Sequence, residues 1–234
     1  MILLFDCFGT IINFKAVDFD KGIRFLWDEH FKEKCTFEEL QAYNLELFHH
    51  VEELHAQEIE TAFVRDELPL YAEKFGTESL NMSPSQEADF IQLTTDLENF
   101  ESLPEQLEEL YNRGVSMYVL SNSIYSSKGL AELLNRYGIG RFFKSVWASS
   151  DFGKVKPNRD FFMMGISNAL EENPGATIDD VIYIGDTYEA DVVGATNAGV
   201  KTIWINSKGA EDTQGIATRT ITGHSQFLSA VESL

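Results

Sequence analysis

The chain has 234 residues, 44% hydrophobic and 24% charged, with 18 Lys plus Arg against 38 Asp plus Glu and a formal net charge of −20. That size fits one large domain or one domain plus an insert, and the composition excludes a disordered, collagen-like or disulfide-dense chain. So acidic a surface repels nucleic-acid phosphates and anionic lipid, which makes neither an expected partner, and an anionic substrate would need a local cationic group or a bound metal.

Two cysteines, Cys7 and Cys35, make no disulfide framework and fit a reducing compartment. The opening Ile2-Leu3-Leu4-Phe5 run is too short for a signal peptide, and no apolar run is long enough to cross a membrane, so the expected location is the cytoplasm. That run ends at Asp6 and has the pattern of a strand buried on both faces of a parallel sheet, with a turn at Gly9-Thr10. Residues 13–97 lack such runs. Segments 20–32, 37–55, 58–75 and 85–97 instead carry apolar residues at helical spacing, as at Leu45, Phe48, Val51 and Leu54. Thr36 before Phe37-Glu38-Glu39 marks a capped start.

Beyond the insert, a helix over 104–112 opens on proline and closes at Gly114. Strands are predicted at 115–120, ending on Ser121-Asn122, and at 143–148, ending on Ser149-Ser150-Asp151. A helix over 160–170 follows. A strand at 181–184 ends on Gly185-Asp186, a helix spans 189–198, and a last strand at 201–205 ends at Asn206. This alternation predicts an α/β fold with a Rossmann-like doubly wound parallel sheet, split by an all-helical insert. Ligands in such sheets bind beyond the carboxyl ends of the strands, where Asp6, Ser121, Asp151 and Asp186 are expected to gather.

Several of those residues carry recognisable chemistry. A carboxylate directly after a buried strand, Asp6, can serve as a covalent nucleophile; its plainer role is a turn residue in Asp-x-x-Gly. Asp186 and Asp191 bracket a strand end and the first turn of the next helix. Three such acids repel one another unless a cation lies between them, and an all-oxygen donor set suits Mg²⁺. Without a cation, Asp186 is a helix cap and Asp191 a solvated side chain. The Ser121 hydroxyl, the Asn122 amide and neighbouring N–H groups can hold a phosphate, or simply cap a helix. Lys156, before Pro157, could neutralise both Asp6 and an anionic group, with Lys154 as the nearby competitor. His49, His50 and His55 do not share one helix face and are expected to be surface residues of the insert.

In order, the chain reads Phe-Asp-x-x-Gly-Thr, Leu-Ser-Asn, Lys-Pro and Ile-Gly-Asp-x-x-x-x-Asp-x-x-Gly-Ala. Over essentially its whole length this resembles the haloacid dehalogenase superfamily of hydrolases. The resemblance implies a core of residues 1–12 and 98–234 and a helical cap domain of 13–97. It also implies a hydrolase of small phosphorylated molecules. Asp6 would be the nucleophile and Lys156 would hold the transferring group against it. Thr10, Ser121 and Asn122 would bind substrate. Mg²⁺ would be held by Asp6, the Phe8 main-chain carbonyl and Asp186, with Asp191 in support.

Phe8 departs from the phosphatase pattern. In phosphatases of this superfamily the residue two after the nucleophile is usually an aspartate acting as general acid and base. An aromatic residue there is closer to the dehalogenase branch, whose members attack carbon and bind halide and carboxylate through a cap arginine. Gly185-Asp186 is unlike the Ser-Ser-Asn of that branch, and the insert's arginines, Arg24 and Arg65, stand in no dehalogenase motif. A metal-dependent phosphatase is therefore the leading expectation. A dehalogenase-type hydrolase and a catalytically weak binding protein are the alternatives.

Overall fold

The computed structural model describes residues 1–234. In chain order the elements are β1 (Ile2–Phe5), β2 (Ile12–Val17), α1 (Phe19–Leu26), α2 (Phe37–His55), α3 (Leu68–Phe75), α4 (Pro84–Thr94), β3 (Thr95–Asn99), α5 (Leu103–Asn112), β4 (Ser116–Ser121), α6 (Ser127–Arg136), β5 (Ser145–Ala148), α7 (Ser149–Phe152), α8 (Arg159–Glu171), β6 (Val181–Gly185), α9 (Gly194–Ala198), β7 (Lys201–Ile205), β8 (Arg219–Ile221) and α10 (Phe227–Glu232). Strands with no polar face are satisfied only inside a sheet covered on both sides. Six strands form one sheet in the order β5-β4-β1-β6-β7-β8, every pair parallel, and the wholly buried β4, β1 and β6 are neighbours within it.

Alternation along the strands supplies both core layers. Leu3, Phe5, Met117, Val119, Ile182 and Ile184 face α5, α6 and α10. Ile2, Leu4, Tyr118, Leu120, Val181 and Tyr183 face α8 and α9, meeting Phe161, Phe162 and Ile166. β1 lies between β4 and β6, so its end, Asp6, is flanked by the ends of both.

The insert is helical through α1–α4, with its own core around Leu26, Phe31, Leu40, Phe63 and Tyr71. Its capped start at Thr36 is present, Thr36 and Glu39 bonding reciprocally. Its ends differ from the expected helices. The predicted 85–97 helix stops at Thr94, and β3 returns antiparallel to β2, pairing Ile12 with Asn99 and Phe14 with Leu97. The helices leave and re-enter the sheet through this two-stranded ribbon. Thr95-Asp96-Leu97-Glu98-Asn99 has one fully buried residue, so the ribbon leaves almost no hydrophobic signature in the sequence. The predicted 37–55, 104–112 and 160–170 helices are present to within a residue at each end, whereas those at 20–32, 58–75 and 189–198 are α-helical over only part of their length, with π-helical turns at Trp27–Phe31, Phe63–Glu67 and Tyr188–Val193.

Candidate active site

Asp6 extends β1 by one residue, its N–H donating to the Ile184 carbonyl of β6 at 2.9 Å. The chain then turns on the Cys7 carbonyl, which accepts from Ile11 (2.8 Å) and Ile12 (3.1 Å). Gly9 has φ +82°, and a Cβ there would lie 2.7 Å from Asp186 Oδ2. Only glycine permits both that left-handed turn and the close approach of this loop to the second carboxylate. Cys7 beside the nucleophile is fully buried, and burial pushes its thiol well above the ordinary range, so it is no thiolate.

Lys156 sits at the centre. Its Nζ donates to Asp6 Oδ1 at 2.8 Å, Asp191 Oδ1 at 2.7 Å and the Tyr183 hydroxyl at 2.8 Å. Its backbone is clamped by the Asn122 carboxamide: Nδ2 donates to the Lys156 carbonyl (3.1 Å) and Oδ1 accepts from the Lys156 N–H (2.7 Å). The helical insert grips the same loop. The Glu58 carbonyl accepts from Val155 N–H and Glu60 N–H donates to the Gly153 carbonyl, each at 3.2 Å, while the Glu58 carboxylate accepts from Asn158 Nδ2 at 2.6 Å. Lys154 falls at that backbone bridge, opposite Ile59, so the choice between the two lysines resolves on Lys156.

Asp6, Asp186 and Asp191 bring carboxylate oxygens within 4.8 Å of one another. Three carboxylates around one ammonium leave excess negative charge, and that charge acts on each group's proton affinity. Burial pushes Asp191 up to about 6, Asp6 adding to the shift and Lys156 opposing it. Burial and the Asp6 charge raise Asp186, against Lys156 and Lys208. Burial would lower Lys156, but Asp191 and Asp6 together hold it above the ordinary lysine range. An all-oxygen cluster with uncompensated charge fits a hard divalent cation. Asp6 Oδ2 takes no hydrogen bond within the chain, nor does the Phe8 carbonyl, so both oxygens are available as ligands. Both Asp191 oxygens are engaged, Oδ1 by Lys156 and Tyr183 and Oδ2 by the Thr187 N–H (2.9 Å). Its place is behind the cluster, holding Lys156 and the Asp186 turn.

Ser121 is buried at the end of β4, its hydroxyl reaching only the Asn122 carbonyl (3.3 Å). The expected substrate contacts change at two positions. The Asn122 amide is used on the Lys156 backbone, and Thr10, 1% exposed, buries a hydroxyl with no partner beneath the site. Phe8 is half-buried and packs against the sheet core. Asp151 does not join the cluster. It accepts from the Ser127 N–H (3.0 Å) at the start of α6. Of the insert arginines, Arg24 stacks 3.4 Å over the Phe37 ring, and Arg65 pairs with Asp66 and donates to the Ser150 carbonyl.

Two residues of the site had no motif to announce them. Trp204 on β7 donates its indole N–H to the Asp186 carbonyl (3.0 Å), and Tyr183 on β6 reaches Lys156. Their one sequence signal is a polar aromatic inside a buried strand, which must find a hydrogen-bond partner.

The model of haloacid dehalogenase-like hydrolases matches residues 3–205, nearly the whole sheet and the entire carboxylate–lysine cluster. The chain belongs to this family. Among curated relatives it is 36% identical over 84 residues to a pyrimidine 5'-nucleotidase of Escherichia coli (strain K12), a stretch covering 36% of each chain. It is 33% identical over 112 residues to a glyceraldehyde 3-phosphate phosphatase of Methanothermobacter thermautotrophicus, covering 48% of this chain and 46% of that one. The chain thus spans between a third and a half of the length of these relatives. In fold it is similar to the 2-haloacid dehalogenase of Pseudomonas syringae pv. Tomato DC3000, with TM-score 0.70, 21% identity and coverage of 100% of this chain and 99% of that one.

Proposed function

We propose that this hydrolase is a Mg²⁺-dependent phosphatase of small phosphorylated molecules, acting in the cytoplasm through an aspartyl-phosphate on Asp6. The observation that carries the reading is the cluster itself: Asp6 with one oxygen on Lys156 and the other unbonded, beside Asp186 and Asp191 with uncompensated negative charge. Phosphatases and nucleotidases among the relatives support it. Residues 1–12 and 98–234 form the catalytic core in this reading. Residues 13–97 form the cap, hinged at the β2–β3 ribbon and selecting the substrate.

The Asp6 carboxylate attacks phosphorus through one of its oxygens while the bond to the leaving oxygen breaks, its electron pair departing with that oxygen. Water then attacks phosphorus and restores the carboxylate. Lys156 places a positive charge against the transferring group, and Ser121 offers its hydroxyl there. Asn122 holds Lys156 in place, and Thr10 supports the loop that carries Asp6. Mg²⁺, held by Asp6, the Phe8 carbonyl and Asp186 with Asp191 behind them, would supply further neutralisation of phosphoryl charge. The Phe8 side chain has no proton to give, so leaving groups that need none, aryl and acyl phosphates, are the favoured substrates.

Phe8 is the one feature that favours a dehalogenase-type reaction at carbon, or a weakly catalytic binding role. The placement of Arg24 over the Phe37 ring and of Arg65 on Asp66 weighs against the former, because neither arginine is held out for a halocarboxylate. The test is phosphate release from acetyl phosphate and p-nitrophenyl phosphate, with Mg²⁺ and with EDTA. The reading predicts metal-dependent turnover that is abolished in Asp6→Asn. Turnover of 2-haloacids without metal, and of no phosphate, would establish the alternative.

A further inference from the structure

Lys156 uses all three ammonium protons inside the chain, and the third acceptor is a tyrosine that no step of the hydrolysis employs. Tyr183 is fully buried on β6, its ring packed edge-on against Phe162 with centroids 5.0 Å apart. Its hydroxyl has one proton and two acceptors in reach, the Leu120 carbonyl at 2.9 Å and Asp191 Oδ1 at 3.2 Å. Leu120 lies on β4, across β1 from β6, one residue before Ser121. A single hydroxyl therefore joins the ends of the two strands flanking Asp6 to the ammonium that faces it.

Geometry gives that junction a task. Of the three ammonium partners, Asp6 is the one that changes, because phosphorylation turns its carboxylate into an acyl phosphate, whose carbonyl oxygen is a weaker acceptor and whose negative charge lies out on the phosphoryl oxygens. Asp191 stays in place, since its other oxygen holds the Thr187 N–H. One remaining acceptor leaves an ammonium free to swing, whereas two fix its direction. We propose that Tyr183 is a positioning residue, whose hydroxyl accepts from Lys156 Nζ and donates to the Leu120 carbonyl, keeping the ammonium aimed at the reacting end of Asp6 throughout turnover. The role rests on the phosphatase reading above, but its geometric half does not.

The decisive variant is Tyr183→Phe, which keeps the ring against Phe162 and removes only the hydroxyl. With p-nitrophenyl phosphate and Mg²⁺, kcat is expected to fall about tenfold, the scale of one hydrogen bond to a charged group, with a smaller change in KM. A crystal structure of the variant with beryllium trifluoride on Asp6, a mimic of the phosphorylated state that leaves Asp191 as the one other acceptor, is expected to show Lys156 Nζ displaced from the place where it meets Asp6 Oδ1 at 2.8 Å. A folded variant with wild-type kcat overturns the proposal. So does a slow variant whose ammonium has not moved, because its defect is then structural. A wild type inert on all phosphates defeats the reaction, not the geometry, and the crystallographic distance still decides the positioning. Should Tyr183→Phe fail to fold, 3-fluorotyrosine at the same position keeps the ring and hydroxyl but weakens the oxygen as an acceptor; an unchanged kcat there overturns the role.

Discussion

Magnesium should stabilise this protein, and the size and pH dependence of the effect follow from the carboxylate cluster. Asp6, Asp186 and Asp191 hold oxygens within 4.8 Å of one another with only Lys156 among them. A cation that binds the folded chain alone adds about 2.7 kcal/mol at a hundredfold excess over its dissociation constant. For a chain of this length that is about 5–10 °C in Tm. Protons work against the cation by neutralising the cluster's negative charge. Asp191 has its folded pKa raised to about 6, so the folded apo protein takes up a proton that the unfolded chain, with an ordinary carboxyl near 3.9, does not. Apo stability from this group is therefore greatest below the unfolded value and is lost as pH rises through about 6, by up to about 3 kcal/mol. Magnesium needs the charged carboxylates, so its stabilisation grows over the same interval. Differential scanning fluorimetry at about pH 5 and about pH 7.5, each with and without millimolar Mg²⁺, measures both effects. A Tm that does not move with Mg²⁺ at the higher pH would refute the cation site, and an equal shift at both would refute the coupling to Asp191 and Asp186.

Two substitutions probe the loop that follows the nucleophile. Phe8→Asp installs a proton donor and should raise alkyl-phosphate kcat/KM by up to about 10²–10⁴-fold, at a cost of about 1–3 kcal/mol from the lost ring packing; an unchanged rate in a folded, Mg²⁺-binding variant shows that proton donation at this position does not limit turnover. Gly9→Ala puts a Cβ 2.7 Å from Asp186 Oδ2 at φ +82°, so it should cost about 1–3 kcal/mol and shrink the Mg²⁺-dependent rise in Tm, whereas a full rise would show that Asp186 does not depend on this approach.

The buried core of the sheet was legible because its strands are apolar on both faces and end on chemically distinct residues. Asp6, Ser121 and Asp186 could be placed at strand ends from spacing alone, and Lys156 reached the site from a loop because its motif marked it. Asp151 had the same strand-end signature as Ser121 but serves as a helix cap for Ser127, a distinction that only the third dimension makes. The β2–β3 ribbon escaped because a mostly solvated pair of strands buries too little to imprint a period on its residues. Asn122 read as a phosphate ligand because a strand-end amide suits one, yet its partner is a backbone 34 positions away. Tyr183 and Trp204 read as core, which they are; their hydroxyl and indole N–H act on groups brought near only by the sheet order.

The central claim is that phosphoryl transfer passes through Asp6, and one measurement addresses it most directly. Wild type is mixed with p-nitrophenyl phosphate and Mg²⁺ in ¹⁸O-water, quenched in acid within a single turnover, and its amino-terminal peptide analysed by mass spectrometry. The account predicts a phosphoryl group on Asp6, absent from Asp6→Asn, and ¹⁸O appearing in released phosphate with none in the Asp6 carboxylate. Phosphate released with no adduct on Asp6 would contradict it, and ¹⁸O entering the Asp6 carboxylate during turnover of a 2-haloacid would assign the chain to chemistry at carbon.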